Sequence, residues 1–522
     1  MNTVTDLLAA DHSAPLTPDC VVGIVGAGAM GAGIAQVAAR AGHRVRLFDV
    51  DPQAVARGRG GVERDMAFLV DKGKLAAGDA QAVLTRIEPA SALADLADCS
   101  LVIEAAIEDL AIKQRLFAEL ESIVGADCVL ATNTSSLSIT AIGAALKQPA
   151  RLVGMHFFNP APRMKLVEVV RGVETDAATA AIVAATARAW GKVVVHARST
   201  PGFIVNRLAR PFYGEAWRVL LESGAAADPA SIDAVMRDCG GFPMGPFELM
   251  DLIGHDVNLA VTQSVFEATF FDRRYTPSLA QQELVRAGRL GRKRGRGVYD
   301  YRDGAARPVA REERGAEPAD RVTLVGSLGI ATPIVTRLER AGITVAREQG
   351  AEGAGWLQIG PARLAASDGR PATQRAAQEG PAHLVLFDLA LDYATTPRLG
   401  LAHADQCGDA AYRTVCATLA RAGFACTPLA DSAGLVVLRT VAMLINEAAD
   451  AVAAGICSAD AVDEAMRHGV NYPRGPMAWA ESVGLPFFAR VLTHLREATG
   501  EERYRTAPLI QRRGWTGRGF KE

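Results

Sequence analysis

The sequence predicts an α/β protein with all-α modules: a Rossmann-like domain followed by a helical domain, then a degenerate Rossmann-like lobe and a second helical repeat. Two observations predict it. A glycine-rich turn, Gly26-Ala27-Gly28-Ala29-Met30-Gly31, joins an apolar strand to a helix of small residues and opens a series of apolar runs alternating with helix-like segments. That alternation is the pattern of a doubly wound, mostly parallel sheet. The strand and turn then return at Val322, 300 residues after Val22, with a helical stretch following each copy. The expected order is a tail over 1–20, a cofactor-binding domain over 21–199, a helical domain over 200–302, a linker over 303–320, a degenerate lobe over 321–430 and a second helical domain over 431–522.

Composition sets the outer bounds. With 522 residues the chain has room for several packed cores, roughly three to five domains. Its 56 basic and 58 acidic residues leave a formal charge of -2, so no global field favours nucleic acid or an anionic membrane. The eight cysteines are scattered with no CxxC spacing, which reads as reduced thiols rather than a disulfide frame or a zinc site. The first twenty residues carry Asp6, Asp11 and Asp19 and lack the basic and apolar regions of a secretion signal. No apolar run reaches the roughly 18 residues that span a bilayer. A cytoplasmic protein is expected, with no membrane or nucleic-acid partner and no bound metal.

In the first glycine-rich turn, Gly26 allows the tight bend and Gly28 lets backbone N–H groups approach a pyrophosphate. Gly31 permits close helix packing, and the helix N-terminus opened by Ala29 and Met30 favours the anion. A second strand, Arg44 to Phe48, ends in Asp49, 18 residues past Gly31. A carboxylate there accepts from ribose hydroxyls and repels a 2′-phosphate, which favours NAD over NADP. Further apolar runs at Ser100–Ala105, Cys128–Ala131, Leu152–Phe157 and Leu166–Val170 extend the sheet. Ligands on such sheets sit beyond the carboxyl ends of strands. The polar residues there are Glu108 and Lys113, then Asn133-Thr134-Ser135-Ser136, then His156-Phe157-Phe158-Asn159-Pro160.

A lone histidine ending an apolar strand is ordinarily a satisfied core residue. Glu168, inside the apolar run Leu166–Val170, changes the balance, because a buried carboxylate needs a cationic or hydrogen-bonding partner. An imidazole oriented by a carboxylate is suited to take a hydroxyl proton while hydride leaves for a nicotinamide. The competing reading is that Glu168 is a solvated edge-strand charge.

The motifs "GAGAMGAGIAQ", "LVIEAAIEDLAIK", "TNTSSLSI", "GMHFFNPAPRMKLVEVV" and "TPGFIVNRL", in this order, resemble the 3-hydroxyacyl-CoA dehydrogenase family over residues 21–302. The resemblance implies NAD-dependent oxidation of an (S)-3-hydroxyacyl-CoA thioester. It implies that His156 is the general base, Glu168 its orienting partner, Ser135 a donor to the substrate oxygen and Asn206 a polar group near the 3-oxygen. For the cofactor it implies the glycine turn, Asp49 at the adenosine ribose, Glu108, Lys113, Ser135 and Asn159 around the nicotinamide half, and Lys293 in "GRKRGRGVYDY". From Pro201 small apolar residues at helical spacing indicate a bundle, and many members of the family dimerise through this domain.

In the second copy the chemistry is gone. Gly326-Ser327-Leu328-Gly329 places Leu328 where Gly28 stood, and Gln349 takes the place of Asp49. The stretch Gly434–Gly455 parallels Gly202–Gly224, aligning Arg439 with Arg207 and Glu447 with Glu215, and setting Leu438 opposite Asn206. The expected role of this repeat is structural, as an internal substitute for a dimer partner, with homo-oligomerisation as the other arrangement. The duplicated layout resembles the longer bacterial members of the family, in particular those acting on 3-hydroxyadipyl-CoA in phenylacetate degradation. The alternatives are a short-chain 3-hydroxybutyryl-CoA enzyme of fatty-acid metabolism and, more remotely, a non-catalytic NAD-binding structural protein.

Overall fold

The computed structural model describes residues 13–224, 227–306, 308–315, 317–350 and 355–521. Residues 1–12 of the expected tail, and 307 and 316 of the expected linker, lie outside the described residues. The chain packs as two compact units, Met1–Arg207 with Ala451–Val470, and Leu208–Asp450 with Asn471–Glu522. Where the sequence reads as domains laid end to end, a segment of the last one is built into the first unit.

The first unit is organised by an eight-stranded sheet of order β3-β2-β1-β4-β5-β6-β7-β8. Its strands are β1 (Val21–Val25), β2 (Val45–Phe48), β3 (Ile87–Pro89), β4 (Cys99–Glu104), β5 (Val129–Thr132), β6 (Leu152–Phe157), β7 (Leu166–Arg171) and β8 (Val193–Arg198). All neighbours are parallel except β6 and β7. β1, β5, β6 and β7 are buried at every residue, the signature of a sheet covered on both faces. The covering helices start where local chemistry starts them. Asp51 caps Pro52–Asp71 by accepting from Gln53 N–H at 2.9 Å, with Pro52 at the first helical position. Asp109 caps Leu110–Ile123 by accepting from Ile112 N–H at 2.8 Å.

The borrowed segment seals the far edge of this sheet. Arg198 N–H on β8 donates to Ile456 O at 2.9 Å, and the helix Ala459–Gly469 lies on β7 and β8. The approach needs a glycine, since a Cβ on Gly469 would stand 2.7 Å from the Leu166 side chain.

The second unit holds a seven-stranded sheet of order β10-β9-β11-β12-β13-β14-β15. Its strands are β9 (Arg321–Gly326), β10 (Thr344–Glu348), β11 (Gly355–Ile359), β12 (Ala362–Ala366), β13 (Leu384–Phe387), β14 (Arg398–His403) and β15 (Ala425–Pro428). β9, β10, β12 and β13 run one way, and β11, β14 and β15 run the other. The helix Pro229–Asp238, from the first helical repeat, lies on β14 and β15 as Ala459–Gly469 lies on β7 and β8. Each sheet is closed by a helix from the other repeat.

The two helical repeats share this unit, and a buried charge network joins them. Arg439, fully buried, donates through Nε to Glu215 at 2.8 Å and through Nη1 to Glu222 at 2.6 Å. Tyr504 Oη donates to Glu215 at 2.8 Å. Arg274 reaches Glu447 at 3.0 Å and Asp450 at 2.5 Å. A buried ion costs several kcal/mol unless its partners are in place. Glu215→Ala is therefore expected to destabilise this unit by about 3–5 kcal/mol in denaturant unfolding, because it removes the one wholly buried carboxylate between Arg439 and Arg503 and leaves Arg439 only the part-exposed Glu222. The double variant Glu215→Leu/Arg439→Met should lose less than either single variant; a loss equal to the sum of the two would show that the charges act independently.

Candidate active site

Of the residues expected to bind the cofactor, the glycine turn follows β1, whose last residue is Val25. Gly26 has φ 100°, and a Cβ there would lie 2.5 Å from Ala105 O; a Cβ on Gly31 would lie 1.7 Å from Gly26 O. Gly28 is different, for nothing stands within 4 Å of where its Cβ would be. Gly28 is also the N-cap of the helix Ala29–Arg40 and offers no side chain to its free N–H groups. Open space, free amides and the positive end of a helix fit a dinucleotide pyrophosphate. Met30 packs partly buried against the core. Asp49, just past β2, accepts from Ala27 N–H at 2.7 Å and from Asp51 N–H at 3.0 Å, which fixes its carboxylate beside the turn. A cavity of about 490 Å³ adjoins the turn, lined by Gly28, Gly33, Arg57, Asp65 and Arg163 among others.

Beyond β4 and β5 lies a polar cluster. Glu108 accepts from Thr134 Oγ1 at 2.6 Å, Ser136 Oγ at 2.9 Å and the N–H groups of Ser135 and Ser136 at 3.0 and 3.1 Å. Burial pushes the Glu108 carboxyl up, but the Thr134 hydroxyl, the Lys113 ammonium and the serine donors outweigh it and hold it below the usual carboxylate range. Lys113 is 1% exposed, pairs with Glu104 and stands 3.4 Å from Glu108. Its ammonium thus sits between two carboxylates of its own domain. Glu104 is the residue that sequence reasoning passed over. Wholly buried, it accepts from Thr132 Oγ1 and Ala106 N–H, both at 2.6 Å, and from Lys113. The signal was a carboxylate ending the apolar strand "LVIE", nine residues before Lys113.

The antiparallel register of β6 and β7 sets His156 opposite Glu168. His156 Nδ1 and Glu168 Oε2 are 2.6 Å apart, with side-chain exposures of 7% and 0%. Glu168 is not the solvated edge charge of the competing reading. Its second oxygen accepts from Ile204 N–H at 3.1 Å and Val205 N–H at 2.9 Å, so one carboxylate holds both the imidazole and the start of the following helix. Phe158 packs on the His156 ring with centroids 4.5 Å apart, and Phe203 meets it edge-on at 5.8 Å. Phe203 has φ 47°, a left-handed conformation that costs a non-glycine residue about 1–3 kcal/mol. Asn133 Oδ1 accepts from Phe157 N–H at 2.8 Å and ties the ends of β5 and β6 together. Asn206, half-buried, donates from Nδ2 to Ser135 O at 3.4 Å, so these two expected site residues meet. Asn159 is exposed beyond the end of β6. Lys293 belongs to the second unit, where Nζ donates to Asp256 at 2.8 Å.

With Nδ1–H held by a carboxylate, the imidazole keeps Nε2 as its proton-accepting atom. A glycine turn open to a pyrophosphate and an imidazole held by a carboxylate on the same sheet are the parts that a nicotinamide-dependent alcohol dehydrogenase needs. Comparison with known proteins agrees. The 3-hydroxyacyl-CoA dehydrogenase NAD binding domain matches residues 21–200, and the C-terminal domain of the same family matches 202–301 and again 434–519. The 3-hydroxybutyryl-CoA dehydrogenase reduced Rossmann-fold domain matches 364–432. The chain is 42% identical, over 96% of its length and 98% of the relative's, to 3-hydroxyadipyl-CoA dehydrogenase of Escherichia coli K12. It is 41% identical over 280 residues, 54% of this chain and 96% of the relative, to a probable 3-hydroxybutyryl-CoA dehydrogenase of Bacillus subtilis. A crystal structure described as 3-hydroxybutyryl-CoA dehydrogenase from E. coli K12 superposes with TM-score 0.86 at 42% identity, covering 96% of this chain and 99% of the other. This chain belongs to the 3-hydroxyacyl-CoA dehydrogenase family. It is an NAD-dependent oxidoreductase, and among its described residues no helix is long and apolar enough to cross a membrane.

The open space at Gly28 separates binding from folding. Gly28→Ala is expected to leave the thermal unfolding temperature unchanged while weakening NADH at least about tenfold in a fluorescence titration, because a pyrophosphate requires that approach. Gly31→Ala should lower the unfolding temperature as well. A Gly28→Ala protein with undiminished NADH affinity would exclude this turn as the cradle.

Proposed function

We propose that this chain oxidises (S)-3-hydroxyadipyl-CoA at C3, with His156 as general base and Glu168 as the group that orients it. The observation that carries the assignment of roles is the buried His156–Glu168 pair at 2.6 Å. NAD bound at the glycine turn supplies the hydride acceptor. His156 Nε2 takes the proton of the substrate hydroxyl as C3 gives up hydride, and the Glu168 carboxylate stabilises the imidazolium that results. Among the described residues Ser135 Oγ has only a long contact, 3.5 Å, to Glu108, which leaves its hydroxyl to donate to the substrate oxygen. Asn206, tethered to the Ser135 carbonyl, sets a second amide donor beside it. Asp49 orients the adenosine ribose, and Glu108, Lys113, Asn159 and Lys293 serve the cofactor. The adipyl substrate is supported by the name of the full-length E. coli relative. The half-length relatives named for 3-hydroxybutyryl-CoA support the short-chain reading as the alternative. All eight cysteines are free thiols, which supports a reducing, cytoplasmic setting. The shared charge network supports reading the second helical repeat as an internal dimer partner.

His156→Ala is expected to lower kcat by about 10²–10⁴-fold with NADH affinity unchanged. Equal activity in His156→Ala would overturn the base assignment. Absorbance at 340 nm with a panel of (S)-3-hydroxyacyl-CoA thioesters decides the substrate: a higher kcat/KM for the butyryl than for the adipyl ester would replace the adipyl reading with the short-chain one.

A further inference from the structure

The second sheet has lost its dinucleotide cradle but kept a crevice. A cavity of about 820 Å³ lies at the carboxyl ends of β9, β12 and β13, three strands that run in the same direction. This is where ligands settle on open α/β sheets, and the volume is that of a small-molecule site. Its floor is apolar, with Phe387, Leu389 and Leu438. Its charges do not balance within the cavity. Arg370 is taken up by Asp368, at 2.5 Å, and by Glu379, at 2.6 Å, and Arg375 pairs with Glu379 at 3.0 Å. Two further basic groups of the wall, Arg490 and His494, remain. Arg490 is exposed, its guanidinium 5.9 Å from the centre of the Phe487 ring, and no carboxylate among the described residues pairs with it. His494 donates from Nδ1 to the Asp368 carbonyl at 2.8 Å, with that residue's carboxylate 3.9 Å from the same nitrogen, and no described residue bonds its Nε2.

We infer that this cavity binds a small carboxylate with an apolar chain, its anionic end held by Arg490 and His494 and its chain lying on Phe387, Leu389 and Leu438. A dinucleotide does not fit the same site. Leu328, 8% exposed, fills the position that must be open for a pyrophosphate, and the following helix begins with Pro333, which has no N–H to offer. An arginine with an imidazole beside an apolar wall is instead suited to one carboxylate.

The test is calorimetric titration of the full-length protein, saturated with NADH, using hexanoate as the probe and hexanol and ADP as controls. Saturable hexanoate binding is expected, at least tenfold weaker in Arg490→Ala and in His494→Ala. Ile330→Trp, at a position 44% exposed on the cavity rim, should block it by bulk. All three variants should retain dehydrogenase turnover, which keeps this result separate from the reading of the active site. Absence of saturable binding, binding unchanged in both basic-residue variants, hexanol binding as tightly as hexanoate, or displacement of hexanoate by ADP at lower concentration would each overturn the inference.

Discussion

The Glu168 carboxylate is the constraint on which the site depends. It lies wholly buried on β7, where an unpaired charge is too costly to keep. One oxygen meets the imidazole of His156, and the other receives two backbone N–H groups at the entrance to the helical domain. The entrance to the helical domain and the orientation of the His156 imidazole are thus set by the same group. The register of one antiparallel strand pair, in a sheet otherwise parallel, puts the two side chains face to face.

The second sheet shows what remains when the chemistry is removed from that arrangement. Across the corresponding antiparallel pair, β13 and β14, Asp388 N–H donates to Gly400 O at 2.9 Å. The Asp388 carboxylate accepts from the N–H groups of Val436, Val437 and Leu438 at 2.7–2.9 Å, capping the helix as Glu168 does, and no imidazole among the described residues bonds to it. Burial pushes this carboxyl up to about 6, against the pull of those three N–H donors and of a fourth, from Leu389. Leu435, φ 54°, repeats the left-handed conformation of Phe203. Helix capping and backbone geometry persist in both halves, so they belong to the architecture, whereas the carboxylate-held histidine and the open glycine turn are found in the first half alone among the described residues.

The duplication also exchanges helices. Ala459–Gly469 closes the first sheet and Pro229–Asp238 closes the second, so neither repeat completes its own sheet edge. Each helix covers the last two strands of the sheet it packs on. The buried Arg439–Glu215 contact in the second unit secures the repeats to one another at the level of side chains.

The sequence by itself determined the parts whose chemistry is local. The glycine turn, the alternation of strands and helices, and the loss of Gly28 and Asp49 counterparts in the second copy follow from backbone freedom and residue type over a few positions. His156 and Glu168 were legible as a pair because a carboxylate in an apolar strand demands a partner nearby. The three-residue edge strand β3, and β11 to β15 of the second sheet, left too little periodicity to read, and β8 was not singled out although it is as long as β6 and β7. Tertiary structure alone decided the rest. It gave Lys113 two carboxylate partners, one of them the unread Glu104, gave Glu168 its second duty, and placed residues 451–470 against the first sheet. Those outcomes rest on contacts between residues far apart in the chain, and the burial that makes each contact necessary exists only once the sheets have formed.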